Sequence, residues 1–378
     1  MKFVIAPDSF KESLTAVQAC SAIAKGARAV FPRARLVLAP MADGGEGTLS
    51  VLLGKGGRPR NATVSGPMGK KTAASYGILA GGRTAVVEMA QASGLGLIAP
   101  KKRDPLRASS FGTGELIARA LSGGAEKVIL TLGGVATSDA GTGMAGALGW
   151  RFLDRNGWPI PPGAAGLLRL EKILPPEDPR ALSRARFLAA CDVNNPLLGP
   201  RGSARVYGPQ KGATREMVRA IERAFARFSG IVRRDLGKNI AALPGAGAAG
   251  GAGAGAAAFL NAELRPGIEL VIEMTGLRAK MAGADIVLTG EGRIDGQTRF
   301  GKTASGVAGA AKRLGIPVVA FCGEVGPGAR TARSAGILAF APIARGPMSA
   351  ADSLRLAPRL LREAAEETFR MLRPFLPG

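Results

Sequence analysis

The feature that most constrains this fold lies between residues 284 and 306. There, a short apolar strand runs directly into a glycine-rich, mixed-charge loop and then into a helix. Loops of this kind often bind phosphate groups at the start of the helix. The stretch Gly296–Thr303 even fits G-x-x-x-x-G-K-[ST], the phosphate-binding P-loop. A P-loop begins where its strand ends, however, and here residues 290–295 intervene. We therefore discount the P-loop and regard the acidic residues Glu291 and Asp295 as more informative. The first hypothesis for the function is a nucleotide-using enzyme.

The order of strand, polar loop and helix recurs at both ends of the chain. It predicts strands at 2–6, 35–39, 285–289, 317–321 and 337–341, and helices at 13–30, 48–53, 304–314 and 349–372. Successive units of this kind form a parallel sheet. Because ligands bind at the carboxyl ends of such strands, the loops Pro7–Lys11 and Pro40–Gly47 are candidate site segments.

Shorter strand-like pieces begin near residue 64. They are at 73–79, 84–88, 127–132 and 187–191, and a helix with an apolar stripe is predicted at 214–236. We therefore predict a doubly wound α/β domain from residues 1–64 plus 283–378, with a second α/β domain, residues 65–282, inserted into it. The tract Gly245–Phe259 matches G-x-G-x-x-G, but a poor strand precedes it. A tightly packed, glycine-rich helix start is the better prediction for it.

Histidine is absent from the chain. This excludes Ser-His-Asp and Cys-His nucleophile systems, histidine metal sites and an imidazole base. Proton transfer must therefore use Asp, Glu, Lys, Tyr or water.

The formal net charge is +23, yet the 51 basic residues are spread out without a run of five, and aromatic residues make up only 5%. This pattern favours an arginine-rich surface that reflects a biased composition, and we expect no nucleic-acid partner. The alternative is a surface that attracts anionic metabolites or binds polyanions weakly and nonspecifically. The chain has no signal-peptide pattern and no run of about 18 apolar residues. Its three scattered cysteines form no disulfide framework. We therefore expect a cytoplasmic protein without a membrane partner, and leave a homo-oligomer open.

Six segments, taken together and in order, resemble the type I glycerate kinase family. These segments are Ala6–Ala16, Pro40–Thr48, Gly133–Gly143, Asp192–Pro196, the Gly245–Phe259 tract with Ala262–Gly267, and Thr289–Asp295 with the pair Gly301-Lys302. The family usually reads G-G-S-A-T-N-D-G-G-x-G in the third segment, where this chain has Val135, Ser138 and Ala140. The missing hydroxyl and amide groups put individual polar contacts there in doubt.

The resemblance implies an ATP-dependent enzyme that phosphorylates D-glycerate, with Mg²⁺, and favours the 2-phosphoglycerate product. It also implies a flavodoxin-like α/β domain interrupted by a second α/β domain, with substrate and nucleotide meeting in the interdomain cleft. The alternatives are a kinase for another small hydroxy acid and a noncatalytic sugar-acid-binding protein on the same scaffold.

Candidate site residues follow from this hypothesis and from the needs of phosphoryl transfer. Asp192 is the preferred base for the hydroxyl group, followed by Asp8, and Lys11 is the third candidate catalytic residue. The candidates for binding substrate or phosphate are Ser9, Lys302, Arg293, Gly133, Gly134, Thr137, Asp139, Gly44 and Gly45. Asp43, Glu291 and Asp295 are the candidate metal ligands. Some candidates have a structural alternative: Lys302 could be a solvated lysine at a helix start, and the glycines could serve backbone geometry alone. Backbone N–H groups could instead be capped by Asp8, Asp43, Asp139, Asp192, Ser9 and Thr303.

Overall fold

The computed structural model describes residues 1–54, 56–296, 298, 302–344 and 346–376. Gly301, and most of the interior of the P-loop-like stretch, lie outside these residues. The strands are β1 (Lys2–Ile5), β2 (Arg35–Leu38), β3 (Arg58–Ser65), β4 (Lys71–Ile78), β5 (Thr84–Glu88), β6 (Lys127–Thr131), β7 (Arg151–Leu153), β8 (Lys172–Leu174), β9 (Arg186–Ala190), β10 (Glu263–Arg265), β11 (Ile286–Ile294), β12 (Val318–Val325) and β13 (Ile337–Pro342).

The α-helices are α1 (Ala16–Val30), α2 (Thr48–Leu53), α3 (Met89–Ser93), α4 (Phe111–Ser122), α5 (Thr142–Ala147), α6 (Ala164–Leu167), α7 (Arg180–Arg184), α8 (Ser203–Tyr207), α9 (Arg215–Leu236), α10 (Ala248–Phe259), α11 (Gly267–Thr275), α12 (Leu277–Met281), α13 (Thr303–Lys312) and α14 (Ala350–Leu372). Short 3₁₀ helices lie at Leu95–Leu97, Pro100–Lys102, Pro209–Lys211, Ala329–Ala335 and Arg373–Phe375. None of the helices in the described ranges combines the length and the apolar character needed to cross a bilayer.

The chain divides into two compact units. The terminal unit comprises residues 1–43 and 267–378, and the middle unit comprises residues 44–266. The boundaries predicted from the sequence are at 64/65 and 282/283 instead. The difference arises because α2 packs against β4 and β5, and because α11 and α12 pack against α13.

The terminal unit contains a parallel sheet in the order β13-β12-β11-β1-β2. If its strands are renumbered in chain order, the sheet reads 2-1-3-4-5, the flavodoxin order. On one face, α1 and α14 cover Phe3, which lies 4.9 Å from the ring of Phe369 and 5.4 Å from that of Phe31. The predicted flavodoxin-like parallel sheet is confirmed. The topological switch point of this sheet lies between β1 and β11, so the loops at their carboxyl ends are where this fold binds ligands.

Strand β11 is longer than predicted. The sequence pattern predicts that the strand ends at Thr289 and that residues 290–295 form a loop. This prediction is wrong, since β11 pairs with β12 as far as Ile294. Two glycines make this pairing close: a Cβ at Gly290 would lie 2.5 Å from the Phe321 oxygen, and a Cβ at Gly323 would lie 2.7 Å from the Gly292 oxygen. Glu291 is therefore held on a strand rather than on a loop.

The middle unit contains a mixed sheet in the order β10-β9-β6-β5-β4-β3. Strands β5, β6, β9 and β10 are parallel, and β4 and β3 are antiparallel to their neighbours. The β4–β5 turn includes Gly81 and Gly82, whose φ angles of 95° and 76° suit glycine. A second, two-stranded antiparallel sheet pairs β7 with β8. This unit is thus an α/β unit, as predicted.

The glycine-alanine tract forms the start of α10. Ala249, Gly250 and Gly251 have φ angles of 53°, 68° and 84°, so the regular helix begins after them. Almost all of the helix is buried, and a Cβ at Gly250 would overlap the carbonyl oxygen of Thr137. The prediction of a tightly packed, glycine-rich helix start is confirmed, and its small residues let the loop after β6 approach closely.

Candidate active site

The terminal unit places Asp8 at the switch point of its sheet. The Asp8 backbone N–H donates to the Gly290 carbonyl at 2.8 Å, which fastens the loop after β1 to β11. The carboxylate accepts hydrogen bonds from the Ser9 N–H at 2.6 Å and from the Thr303 hydroxyl. Burial, followed by repulsion from Asp43, raises the pKa of Asp8 to about 6, although these hydrogen bonds act in the opposite direction. Asp8 is therefore a fixed carboxylate that can change its charge near neutral pH.

Glu291 lies on β11 beside this loop. Its Oε1 accepts a hydrogen bond from the Thr298 hydroxyl at 3.2 Å. Burial raises the pKa of Glu291 to about 7; Lys302 opposes the shift, and the negative charges of Asp8 and Asp43 reinforce it. The three carboxyl groups thus share one electrostatic environment in which not all of them ionise readily.

Lys302 and Asp295 complete this cluster. The Lys302 Nζ lies 3.9 Å from Glu291 Oε2 and 4.0 Å from Asp295 Oδ1. The Asp295 carboxylate also accepts from Arg293 Nε at 3.1 Å, and Arg293 Nη1 lies 3.2 Å from Glu324. Arg293 therefore faces acidic side chains, whereas Lys302 is shared between two carboxylates at distances longer than those of tight ion pairs.

Lys11 and Ser9 lie on the same loop as Asp8. The Lys11 side chain is exposed, and its backbone nitrogen is near β11, 3.5 Å from where a Cβ on Gly292 would be. The terminal unit therefore holds eight of the predicted site residues: Asp8, Ser9, Lys11, Asp43, Glu291, Arg293, Asp295 and Lys302.

The donor set in the terminal unit suits a divalent cation that arrives with other ligands. Within the described ranges, no three His, Cys, Asp or Glu side chains form a ready-made metal site. Mg²⁺ commonly takes only one or two carboxylates and fills its remaining positions with water and substrate phosphates. Burial, with a smaller part from repulsion among the carboxylates, raises the pKa values of Asp8 and Glu291, and a bound cation would offset both effects. The residues therefore fit Mg²⁺ bound together with a nucleotide.

The middle unit packs the loop at Gly44–Gly47 against the end of β6. A Cβ on Gly133 would lie 2.7 Å from the Gly45 Cα, so only glycine permits this approach. Gly134 has a φ of 67°. Gly133 and Gly45, both predicted site residues, are thus in direct backbone contact.

Glu88, a residue that the sequence analysis missed, supports the same loop from the end of β5. Its Oε1 accepts from the Leu49 N–H at 2.8 Å, and the Gly47 N–H is a further donor. Burial raises the pKa of this carboxyl group. Glu88 ends an apolar strand. Because polar residues at the carboxyl ends of parallel strands form sites, the sequence pattern does contain a signal for it.

Asp139 is fully buried and binds the chain around it. Its carboxylate accepts from the Ser110 N–H at 2.7 Å, the Ser110 hydroxyl at 2.8 Å, the Gly141 N–H at 3.1 Å and the Gly143 N–H at 3.2 Å. These contacts give Asp139 a structural role at the start of α5, and a direct contact with substrate stays a prediction. Burial raises its pKa despite the four hydrogen bonds.

Thr137 and Lys211 lie in the same region. The Thr137 hydroxyl is buried and has no hydrogen-bond partner among the described residues. Lys211, which the sequence analysis also missed, donates from Nζ to the Thr137 carbonyl at 2.6 Å. With 51 basic residues in the chain, nothing in the sequence marks this one.

Asp192 follows β9 and is half-buried. Burial, followed by repulsion from Asp192, raises the pKa of the Cys191 thiol to about 11. Asp192 thus lies at the carboxyl end of a parallel strand, as predicted. The middle unit holds the remaining predicted residues: Gly44, Gly45, Gly133, Gly134, Thr137, Asp139 and Asp192.

Known proteins resemble this chain along almost its whole length. The model of the glycerate kinase family matches residues 3–373. A glycerate kinase from Halalkalibacterium halodurans is 49% identical over 364 residues, which are 96% of each chain, and a glycerate 2-kinase from Escherichia coli K12 is 46% identical over 86% of each chain. The crystal structure of "putative glycerate kinase 2" from Salmonella typhimurium LT2 has a TM-score of 0.88 and 42% identity, and the match covers 99% of each chain. The chain therefore belongs to the glycerate kinase family, as its six sequence segments predicted.

Proposed function

We propose that this protein transfers the γ-phosphoryl group of ATP to a hydroxyl group of D-glycerate, releasing ADP and phosphoglycerate. Membership of the glycerate kinase family supports the reaction. The name of the E. coli relative, a glycerate 2-kinase, supports the 2-hydroxyl group as the acceptor. One structural observation carries the proposal: Asp8 and Glu291, two carboxyl groups with pKa values of about 6 and 7, lie at the switch point of a flavodoxin-order sheet, and Lys302 lies next to Glu291.

Activation of the hydroxyl group requires a carboxylate base. Asp192 is the first candidate because it follows a buried parallel strand, and Asp8 is the second. Asp8 has the property that suits a base near neutral pH, since a pKa of about 6 leaves it mainly ionised at pH 7 and still able to accept a proton.

The transferred phosphoryl group requires positive charge around it. Lys302 supplies an ammonium group that is 3.9 Å from its nearest carboxylate oxygen, so it can move towards a phosphate at little cost. Lys11 is exposed on the neighbouring loop and offers a second ammonium group. Arg293 is the candidate for the glycerate carboxylate, because a guanidinium group binds carboxylates through two parallel hydrogen bonds. In this role it would exchange its ion pair with Asp295 or Glu324 for the substrate.

The candidate residues for holding Mg²⁺ are Asp43, Glu291 and Asp295. When bound, the ion neutralises charge on the phosphate oxygens. The protein's own part is to keep Glu291 on a strand and Asp295 hydrogen-bonded through its backbone N–H to the Thr298 hydroxyl at 3.1 Å.

In the middle unit, glycine backbones and one buried hydroxyl group are the proposed contacts. Gly44, Gly45, Gly133 and Gly134 lack side chains, so phosphate or carboxylate oxygens can approach their backbone closely. The unpartnered hydroxyl group of Thr137 supports a polar contact in the same region. Ser9 is the corresponding candidate in the terminal unit, beside Asp8.

The test is ADP release that depends on both ATP and Mg²⁺, measured with D-glycerate, L-glycerate, glycolate and glyceraldehyde, with the product identified by ³¹P NMR. We expect turnover of D-glycerate and a resonance of 2-phosphoglycerate. A 3-phosphoglycerate product would overturn the assignment of the acceptor hydroxyl alone. A folded protein that turns over none of these compounds would overturn the proposed reaction.

A further inference from the structure

Lys211 is buried in a way that is costly for a lysine. It ends the 3₁₀ helix Pro209–Lys211 in the middle unit, and only 2% of its surface is exposed. Burying an ammonium group costs several kcal/mol unless charge and hydrogen bonds compensate for it. Burial lowers the Lys211 pKa to about 7, and the attraction of Asp139 opposes the shift only in part. The residue therefore calls for an explanation other than the stability of the fold.

The contacts of Lys211 compensate only in part for this cost. Within the described part of the chain, its Nζ donates one hydrogen bond, to the Thr137 carbonyl at 2.6 Å. The charge of Asp139 attracts it, but the Asp139 carboxylate is already bound by four donors from Ser110, Gly141 and Gly143. The ammonium group is thus directed at a backbone carbonyl of the loop and not at a partner carboxylate.

A third segment meets the ammonium group at the same point. A Cβ on Gly250 would lie 2.7 Å from Lys211 Nζ and would overlap the Thr137 carbonyl. The Ala140 N–H donates to the Gly250 carbonyl at 3.1 Å. The ammonium group therefore lies where the loop after β6 meets the left-handed start of α10, and both of these segments belong to the family-like motifs.

We propose that Lys211 is a positioning residue for the glycerate kinase reaction, because its ammonium group fixes the Thr137 carbonyl against Gly250 and so sets the shape of the Gly133–Gly143 loop. The inference rests on the proposed function, since that loop is a proposed contact for substrate or phosphate. Lys211 itself touches neither reactant. It acts through the loop, so its loss changes the binding and orientation of reactants more than it changes the stability of the protein.

The matched comparison is Lys211→Met against Lys238→Met. Lys238 belongs to the same unit, and its Nζ donates to the Ala257 and Ala258 carbonyls at the other end of α10. Methionine keeps the length and apolar volume of lysine in both variants. Lys211→Met removes the cost of burying the ammonium group, whereas the Thr137 carbonyl loses one hydrogen bond and Asp139 keeps its four donors. We therefore expect the Tm of Lys211→Met to stay close to that of the wild type.

The readouts are amide hydrogen exchange and steady-state kinetics. For Lys211→Met we expect at least about tenfold faster exchange in residues 133–143 and about a 10²-fold lower kcat/KM, the range for a small misplacement of reacting groups. Lys238→Met should change neither quantity. Lys211→Gln, which can still donate to the Thr137 carbonyl, should recover part of kcat/KM.

Three results would overturn the positioning role. The first is a Lys211→Met protein that matches Lys238→Met in exchange and kinetics. The second is a Lys211→Met protein with a lower Tm but unchanged kinetics per folded molecule. The third is failure of both Lys211 variants to fold. Either of these two results would show that Lys211 contributes to stability alone. If the wild type itself does not phosphorylate glycerate, the proposed function fails, and the exchange of residues 133–143 still decides whether Lys211 holds the loop.

Discussion

The hydroxyl group of Thr303 donates a hydrogen bond to Oδ2 of Asp8, although 295 residues separate the two in the chain. The first residue of α13 therefore meets the loop after β1 at the switch point of the terminal unit. The contact holds a carboxylate in place while burial and Asp43 disfavour its charge. A carboxylate in such a position lowers stability and is available for chemistry.

Asp8→Asn should therefore stabilise the protein and impair turnover. Asparagine keeps an acceptor for the Ser9 N–H and a donor for Thr303, but it removes the buried charge. Because the folded-state pKa is raised from 3.8 to about 6, the cost of the charged form is complete above about pH 6 and decreases as the pH falls towards 4. It disappears below about pH 3, where Asp8 is protonated in both the folded and the unfolded state. We expect a gain of about 3 kcal/mol in the free energy of unfolding at pH 8 and well under about 1 kcal/mol at pH 4, measured by denaturant titration.

Asp285→Asn is the control for this comparison. Asp285 lies just before the opposite end of β11, and its carboxylate accepts from the Lys2 N–H at 2.7 Å. We expect that variant to keep its turnover and to show no gain in stability at pH 8. Equal stability of Asp8→Asn and the wild type at both pH values would show that the Asp8 carboxylate carries no burial cost.

Lys302→Met should weaken nucleotide binding without a large effect on folding. The Lys302 side chain is 36% exposed and pairs with Glu291 and Asp295 at 3.9 and 4.0 Å, so its contribution to stability is at most about 1 kcal/mol. Its loss also raises the pKa of Glu291 further, because Lys302 opposes that shift. We expect the KM for ATP to rise at least about tenfold, the loss for one charged contact of roughly 1.5 kcal/mol.

The matched variant is Lys312→Met. Lys312 ends the same helix, α13, and donates to the Ser334 carbonyl at 3.3 Å. Its KM for ATP should equal that of the wild type. The same rise in both variants would point to general loss of positive charge rather than to a contact of Lys302.

Local signals predicted much of the terminal unit. The Thr15 hydroxyl accepts from the Gln18 N–H and starts α1, and the Thr15 N–H returns a hydrogen bond to the Gln18 side chain. The sequence pattern predicts this helix from residue 13, three residues before its observed start, although the capping box at residues 15–18 can be read from the sequence. Asp8 is a candidate because a polar residue after a buried strand predicts a site. The structure places it at the switch point, and its role in the reaction stays a prediction.

The remaining features depend on contacts that the sequence does not display. Glycines have low strand propensity, so Gly290 and Gly292 hid the extension of β11, which depends on close approach to Phe321. Lys211 contacts Thr137, 74 residues away, and its burial follows from packing rather than from any local pattern. Such residues can be recognised only from the tertiary structure.

Gly133→Ala should disturb the contact between the loop after β6 and the loop at Gly45. The new Cβ would lie 2.7 Å from the Gly45 Cα, which is backbone and cannot turn aside. Gly146→Ala is the matched variant, because nothing lies within 4 Å of its Cβ position in α5. We expect Gly146→Ala to stabilise by about 0.5–1 kcal/mol and Gly133→Ala to destabilise by about 1–3 kcal/mol with a raised KM. Thermal unfolding and initial rates test both, and a Gly133→Ala protein that matches the wild type would remove the contact from the site.

Asp192→Asn should lower kcat by at least about 10²-fold with the fold intact, because the amide cannot accept a proton from the hydroxyl group of glycerate. Asp178→Asn is the control: Asp178 is an exposed carboxylate in the same unit that pairs with Arg180 at 2.7 Å, and its loss should leave kcat unchanged. Circular dichroism and steady-state rates between pH 5 and 9 give the measurement.

Near-normal turnover of Asp192→Asn would exclude Asp192 as the base. The pH profile of that variant would then show whether Asp8 is the base, because a rate that falls with protonation of a group of pKa about 6 matches the burial-raised pKa of Asp8.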